Sequence, residues 1–485
     1  MEYDTIIIGA GMSGLAAGVR LAHYSRRVLV LERHRAIGGM NSFYRRGNRL
    51  VDVGLHAVTN YAPRGIRGPL SKLLRQLRMS WDDFSLAPQC GSSVRFPGCV
   101  LRFSNDVEML KSEIAAAFPN QVDGFERLIG RIVDYDLFGS PECSVSARGV
   151  VSELITDPLL AEMIFCPLLY YGGPSGRDLD FGQFSVLFRS IFLEGFGRPR
   201  SGIRQILRRL VDRFCGMGGE LRLKTGVRRL IVRGERIEAV VLDDGTELRA
   251  RRILSSAGWP ETLRMCETTS AGDRTERNVP VPAVGQMAFV ETISVLDRSP
   301  AELGINETAT FFSRTDRLHY EPAEGPIDPR SGVICCPDNY RYDEPLDEHS
   351  VRITALAGYD AWNRLGSAEY RLEKRWCLER LIDAVTGATT AVGGTAGGEG
   401  GEHVAAGAII PDFRAHVTET EVFTPMTIRR FTGRLHGAIY GAPEKRYDGT
   451  THLANLFLCG TDQGLVGIIG SLISGITIAN RHCLT

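Results

Sequence analysis

Six residues near the amino terminus, Gly9-Ala10-Gly11-Met12-Ser13-Gly14, constrain this chain most, because of what flanks them. Residues 3–8 read as a short strand ending in three isoleucines, and residues 12–24, rich in Ala and Leu, read as a helix. A second strand at 27–31 ends on Glu32, 18 residues after Gly14. Strand, glycine turn, helix, strand and acid in that order open a Rossmann-like dinucleotide site. Gly9 permits the tight turn, Gly11 lets the backbone approach a pyrophosphate with no Cβ in the way, and Gly14 lets helix and strand pack closely. The helix starting at Met12 and Ser13 turns free N–H groups and its positive dipole end toward the phosphates. Glu32, followed by Arg33, is spaced to accept hydrogen bonds from a ribose.

The next segment distinguishes a flavin dinucleotide from a nicotinamide one. Gly38-Gly39-Met40-Asn41-Ser42 follows Glu32 closely, and Asp52-Val53-Gly54-Leu55-His56 follows a strand-like stretch at 48–51. A nicotinamide enzyme would continue into a plain strand and helix. A second glycine pair can instead bring N–H groups beside the pyrophosphate and ribityl chain of FAD. The other half of such a site lies at the far end of the chain. There a strand at 455–459 runs into Gly460-Thr461-Asp462, Gly464 and Gly467, then a helix from Ile468 to about residue 479. Asp462 could bind ribityl hydroxyls, and the helix start could face the pyrimidine end of the flavin. The expected cofactor-binding set is Gly9, Gly11, Met12, Ser13, Gly14, Glu32, Arg33, Gly39, Met40, Val227, Gly460, Asp462, Gly467 and Ile468.

These motifs carry a resemblance. The runs G-A-G-M-S-G-L-A-A from Gly9, L-E-R at Leu31, G-G-M-N-S-F from Gly38, D-V-G-L-H from Asp52 and N-L-F-L-C-G-T-D-Q-G-L-V-G from Asn455 resemble the phytoene desaturase, carotenoid isomerase and retinol saturase family of FAD-dependent oxidoreductases. P-R-S-G-I at Pro199, F-T-P-M-T-I-R-R-F-T-G ending at Gly433, and G-A-I-Y-G at Gly437 add to it in family order. The resemblance implies FAD, a polyene or isoprenoid lipid substrate, and desaturation, saturation or isomerisation of carbon–carbon bonds. It leans toward the saturase and isomerase branch. It also implies contact with a membrane surface, where such substrates partition.

Composition narrows the remaining classes. Lys+Arg and Asp+Glu both number 57, so net charge offers no general attraction to nucleic acid. Eleven cysteines without a C-x-x-C pair suit a reducing, cytoplasmic compartment, and adjacent Cys335-Cys336 reads as strand filler. No metal-ligand cluster and no Ser-His-Asp order stands out, and oligomeric state is open. No secretory signal is expected; the uncharged run 463–480 is too rich in glycine and too close to the nucleotide strand for a membrane span.

The expected fold class is α/β, a discontinuous Rossmann-like FAD-binding domain with an inserted α+β substrate domain. Residues 1–60, 200–262 and 430–485 form the first, and 61–199 with 263–429 the second. Within the first, a strand at 220–225 and a meander at 227–232, 236–242 and 246–250 with an Asp244-Gly245 turn precede a separate short strand at 252–256. Residues 61–199 are expected to be mainly helical, 283–358 to hold strands at 285–295, 308–312 and 351–357, and 368–385 to be a helix. Loops are expected at 268–278 and 387–401. The apolar residues Leu159, Leu160, Phe188, Ile191, Phe192 and Leu193 could form a membrane-dipping lipid entrance or be ordinary core. His56 is the candidate catalytic group, able to move a proton or polarise a flavin, or else held for structure; His436 and Tyr440 would shape the pocket. An amine-oxidase-like flavoenzyme is a second reading, disfavoured because no cage-type aromatic pair is visible. A non-catalytic prenyl-lipid carrier is a third, disfavoured because every cofactor-binding glycine and acid is in place.

Overall fold

The computed structural model describes residues 2–54, 56–135, 145–268, 282–387 and 407–484. Leu55 and all but the first position of each expected loop, 268–278 and 387–401, lie outside the described residues.

The strand Glu2–Ile8 sits inside an eight-stranded sheet, paired in parallel with Val28–Leu31 on one side and Glu247–Ser255 on the other. Ile7 is opposite both Val30 and Leu254, and all three are buried. A strand covered on both faces needs such apolar runs. The expected strands at 246–250 and 252–256 are one nine-residue strand. Its first half pairs antiparallel with Arg236–Leu242 and its second half parallel with Glu2–Ile8 and Leu456–Leu458. Arg249 and Arg251 point their side chains to solvent at alternate positions of this continuous strand. The meander therefore extends the dinucleotide sheet directly, and Cys266–Thr268 adds to its edge.

Two helices meet over one face of this sheet. Met12–Ala22 ends two residues before the expected limit, where the chain turns through Ser25 at φ 55°. It packs against Gly467–Ile478 so closely that a Cβ on Gly475 would collide with the Ser13 carbonyl. Gly475→Ala is expected to cost about 1–3 kcal/mol by forcing the helices apart, seen as a lower midpoint in thermal unfolding with or without cofactor. The leucines of helix Pro69–Leu77 join this same core, although 61–199 reads as substrate domain in the sequence.

The second sheet has seven strands in the order Val417–Phe423, Ala288–Leu296, His349–Ala357, Asp328–Cys335, Ala309–Ser313, Ser92–Phe96, Cys99–Phe103. Four of these, including the hairpin turning at Pro97-Gly98, are absent from the sequence reading, so 61–199 is not simply helical. Helices Val122–Val133, Pro158–Gly172 and Phe181–Phe188 cover the hairpin end. Phe188, Ile191 and Phe192 are at most 2% exposed, and Phe192 packs edge-on to Phe103 at 5.0 Å. Leu160 is buried too, while Leu159 and Leu193 are half-buried. Of the two readings, membrane-dipping entrance or ordinary core, Leu160, Phe188, Ile191 and Phe192 follow the second: protein encloses these four side chains. No helix among the described residues is long and apolar enough to cross a membrane.

Candidate active site

A cleft opens at the carboxyl ends of the parallel strands. Gly9, Gly11, Met12, Ser13, Glu32, Arg33, Gly39, Met40, Val227 and Gly460 all line it. Gly9 adopts φ 99°, and a Cβ on Gly14 would run into the Gly9 carbonyl, so Gly14 serves the strand–helix contact behind the cleft. A Cβ on Gly11 would meet nothing nearer than the Gly38 oxygen, 4.0 Å away, which leaves the backbone open to an approaching group. No side chain caps helix Met12–Ala22, so its first N–H groups remain for an anion. The Glu32 carboxylate, buried at the end of its strand, accepts from the Ala10 N–H and the His34 N–H, each at 2.9 Å. It thus braces the glycine turn, with lone pairs left for a ligand hydroxyl.

Asp462 does not face the cleft. Its Oδ2 accepts from the Trp259 N–H at 2.7 Å and pairs with Arg434 at 3.0 Å, while Oδ1 accepts from the Ala442 N–H at 2.7 Å. Two backbone donors and a guanidinium outcompete any ribityl hydroxyl for this carboxylate, so its expected ligand role is replaced by a structural one. Burial works against its ionisation, but Arg434, Lys445 and the two N–H groups hold its pKa below the usual range. Its neighbour Thr461 lines the cleft instead, as does Arg434.

Gly467 and Ile468 line a second cavity, which shares Met40, Asn41, Thr461 and Ser471 with the cleft. Tyr170, Tyr171, Phe289, Phe423, Ile428, Ile439 and Tyr440 contribute aromatic and aliphatic side chains to its wall. His436 instead lies against the Tyr359 ring and takes no part in the lining. The floor follows from strand alternation: Phe289 and Glu291 share a face of Ala288–Leu296, and Glu291, Thr354 and Val333 stand opposite one another across three strands.

His56 faces that floor. Its Nε2 lies 2.9 Å from Glu291 Oε1 and 3.4 Å from Thr354 Oγ1, and its backbone carbonyl accepts from the Tyr340 hydroxyl at 3.0 Å. Arg352 donates to Glu291 Oε1 at 2.8 Å and to the Asp52 carbonyl at 2.9 Å. The Asp52 carboxylate in turn pairs with Arg198 at 3.2 Å and Arg204 at 3.0 Å. Burial opposes protonation of His56, but Cys335 and the Glu291 carboxylate outweigh it and push the pKa up to about 10. Burial would likewise raise Glu291, yet Arg352 and His56 bring it down to about 2. The pair is an imidazolium and a carboxylate at neutral pH.

Sequence reasoning reached His56 but missed Glu291 and Arg352. The available signal was a single carboxylate in one strand, AFVETISVL, and a single guanidinium in another, HSVRITALA, each among residues with the composition of a buried strand, since a buried charge demands a partner. It also missed the aromatic group in the cavity: Phe289 lies 5.8 Å from Tyr170 and 6.0 Å from Tyr440.

Comparison with known proteins agrees with this architecture. Residues 7–77 match the NAD(P)-binding Rossmann-like domain. Prolycopene isomerase 2, chloroplastic, from an Oncidium hybrid cultivar is 22% identical, covering 99% of this chain and 84% of the relative. All-trans-retinol 13,14-reductase of Danio rerio is 21% identical over 99% of this chain and 86% of its own. Phytoene desaturase (lycopene-forming) of Pantoea ananas is 26% identical over 54% of this chain and 56% of its own. Among solved structures, an oxidoreductase from Methanosarcina mazei shares the fold at a TM-score of 0.65 and 14% identity, covering 98% of this chain and 99% of the other. Cyclohexylamine oxidase from Brevibacterium oxydans IH-35A does so at 0.59 and 15%, covering 100% and 99%.

Proposed function

We propose that this homologue of prolycopene isomerases, phytoene desaturases and all-trans-retinol 13,14-reductase is an FAD-dependent oxidoreductase acting on carbon–carbon bonds of a polyene or isoprenoid lipid. The observation that carries this reading is the continuity of two spaces: a glycine-walled dinucleotide cleft passes at Met40, Asn41, Thr461 and Ser471 into a largely apolar cavity. FAD held in the cleft would supply a hydride carrier for an unactivated carbon pair in the adjoining cavity. The backbone at Gly11, Met12 and Ser13 would hold the pyrophosphate, and Glu32 the adenosine ribose. The apolar and aromatic wall aligns a hydrocarbon chain and keeps water out, while His56 and Glu291 hold a proton between them at the floor. Reversible attachment to a membrane surface goes with such a substrate, through residues other than Phe188, Ile191 and Phe192.

The test is anaerobic incubation of the purified protein with a panel of polyenes, following flavin colour and product mass. Loss of two hydrogens with bleaching identifies a desaturase, gain of two by pre-reduced protein a saturase, and unchanged mass with altered geometry an isomerase. A colourless protein that FAD does not convert, or no product from any polyene, overturns the reading. Glu32→Ala should weaken FAD binding by about 1–3 kcal/mol through loss of a charged acceptor, measured by fluorescence titration of the apoprotein. Unchanged affinity would confine Glu32 to bracing the Ala10 turn.

The rings of Tyr170, Phe289 and Tyr440 give one observation in favour of an amine substrate, because an aromatic cage attracts ammonium. The charges beneath them argue the other way: the His56 imidazolium and the Arg352 guanidinium flank the single Glu291 carboxylate. Putrescine and cyclohexylamine, added to the same panel, are expected to leave the flavin oxidised.

A further inference from the structure

Between Asp52 and Asp82 the chain has five lysines and arginines, Arg64, Arg67, Lys72, Arg75 and Arg78, and no acid, although the whole sequence is balanced. All five are exposed. The acids that bound the run are engaged: Asp52 with Arg198 and Arg204, and Asp82 with Arg64. Arg67, Lys72 and Arg75 have no side-chain ion pair or hydrogen bond among the described residues. Helix Pro69–Leu77 buries Leu70, Leu73, Leu74 and Leu77, which leaves Lys72 and Arg75 on its outer face. A surface groove opens on this side, lined by Ile66, Leu70, Met79 and Trp81 together with Arg67 and Arg75. Ile66 is 55% exposed, and Trp81 is fixed by its Nε1 donating to the Ala62 carbonyl at 3.0 Å. The groove is close to the substrate cavity: Ala62 lines the first and Thr59 the second, so their Cα atoms are at most about 11 Å apart.

Unpaired cations around an exposed apolar side chain match one kind of surface in both respects. An anionic bilayer supplies phosphates for the cations and an apolar interior for the isoleucine and the groove, whereas nucleic acid answers only the charge. We propose that this face docks the protein on an anionic bilayer, with Arg67, Lys72 and Arg75 against lipid phosphates and Ile66 entering the headgroup region. The proposal rests on the lipid-oxidoreductase reading and names the surface through which such an enzyme meets its substrate's membrane. Attraction of this kind is reversible and weakens with salt.

The test is flotation of the full chain with vesicles of phosphatidylcholine alone and with vesicles of equal phosphatidylcholine and phosphatidylglycerol. The parent should float with the mixed vesicles, far less with the neutral ones, and less with both as salt rises. Substituting Arg67→Gln and Arg75→Gln together should lower the partition coefficient by about fivefold for each cation removed. Ile66→Ser should lower it further while leaving its salt dependence unchanged. Unaltered thermal midpoints in the variants exclude misfolding as the cause. Failure of the parent to float with mixed vesicles, equal flotation with neutral ones, or flotation undiminished in the arginine variant overturns the proposal. So does binding of a DNA duplex that competes with the vesicles and is indifferent to Ile66→Ser, which would assign the face to nucleic acid. A protein that floats through this face but turns over no polyene leaves this inference standing and sinks the lipid-oxidoreductase reading, and turnover without flotation does the reverse.

Discussion

Asp462→Ala is expected to lower stability by about 3–5 kcal/mol, the cost of removing one partner from a buried ion pair. The side chain is 1% exposed, and its two oxygens organise three separate parts of the chain: the start of the helix at Trp259, the loop at Ala442 and the Arg434 guanidinium. Without the carboxylate two backbone N–H groups lose their acceptor. Arg434 keeps only Glu261 at 3.7 Å and the Thr461 hydroxyl at 2.6 Å. Because Thr461 lines both the cleft and the second cavity, the loosening reaches the site as well. A lower denaturant midpoint at unchanged slope would show the loss as stability rather than altered compactness. A loss below about 1 kcal/mol would mean that the three elements are held by other contacts.

Asp462 also shows where a sequence stops being legible. Its position after the strand Leu456–Leu458 points to the cofactor side of the sheet, and Gly460 and Thr461 beside it do line the cleft. Which way its carboxylate turns depends on donors at 259, 434 and 442, and no local pattern reveals them. The glycines are different. What Gly9, Gly11 and Gly14 do is decided within the turn that contains them, by a positive φ or by a missing Cβ, so their roles can be read from spacing alone.

Strand Glu247–Ser255 lies between these cases. Each half has a readable pattern, but their fusion depends on pairing with Glu2–Ile8, 247 positions away at Ile8↔Ser255. Phe188, Ile191 and Phe192 mark the opposite failure, because a helix enclosed on all sides is as apolar as one facing lipid and periodicity cannot separate the two. Glu291 and Arg352 form the same kind of long-range secret: adjacent strands bring them to 2.8 Å across 61 residues of sequence.

His56→Ala should leave FAD bound, since His56 lines the second cavity and not the glycine-walled cleft, and should slow turnover by about 10²–10⁴-fold at saturating substrate. The imidazole is the titratable group that the chain places on the cavity wall against a carboxylate, and its loss removes the proton they share. Turnover matching the parent would reduce His56 to a structural partner of Glu291. The same variant has a signature in stability. A histidine whose pKa rises from 6.5 to about 10 on folding contributes stability in full below pH 6.5 and loses it as pH climbs toward 10. Glu291, lowered from 4.5 to about 2, contributes in full above pH 4.5 and loses its share as pH falls toward 2. The pair therefore supports the fold most between pH 4.5 and 6.5. Denaturant midpoints of the parent should decline from pH 7 to 10, and the His56→Ala curve should flatten over that interval while keeping its acid limb, because Arg352 still faces Glu291. Parallel curves across the alkaline range would show that His56 does not carry the proton, and would remove it as the acid of the site.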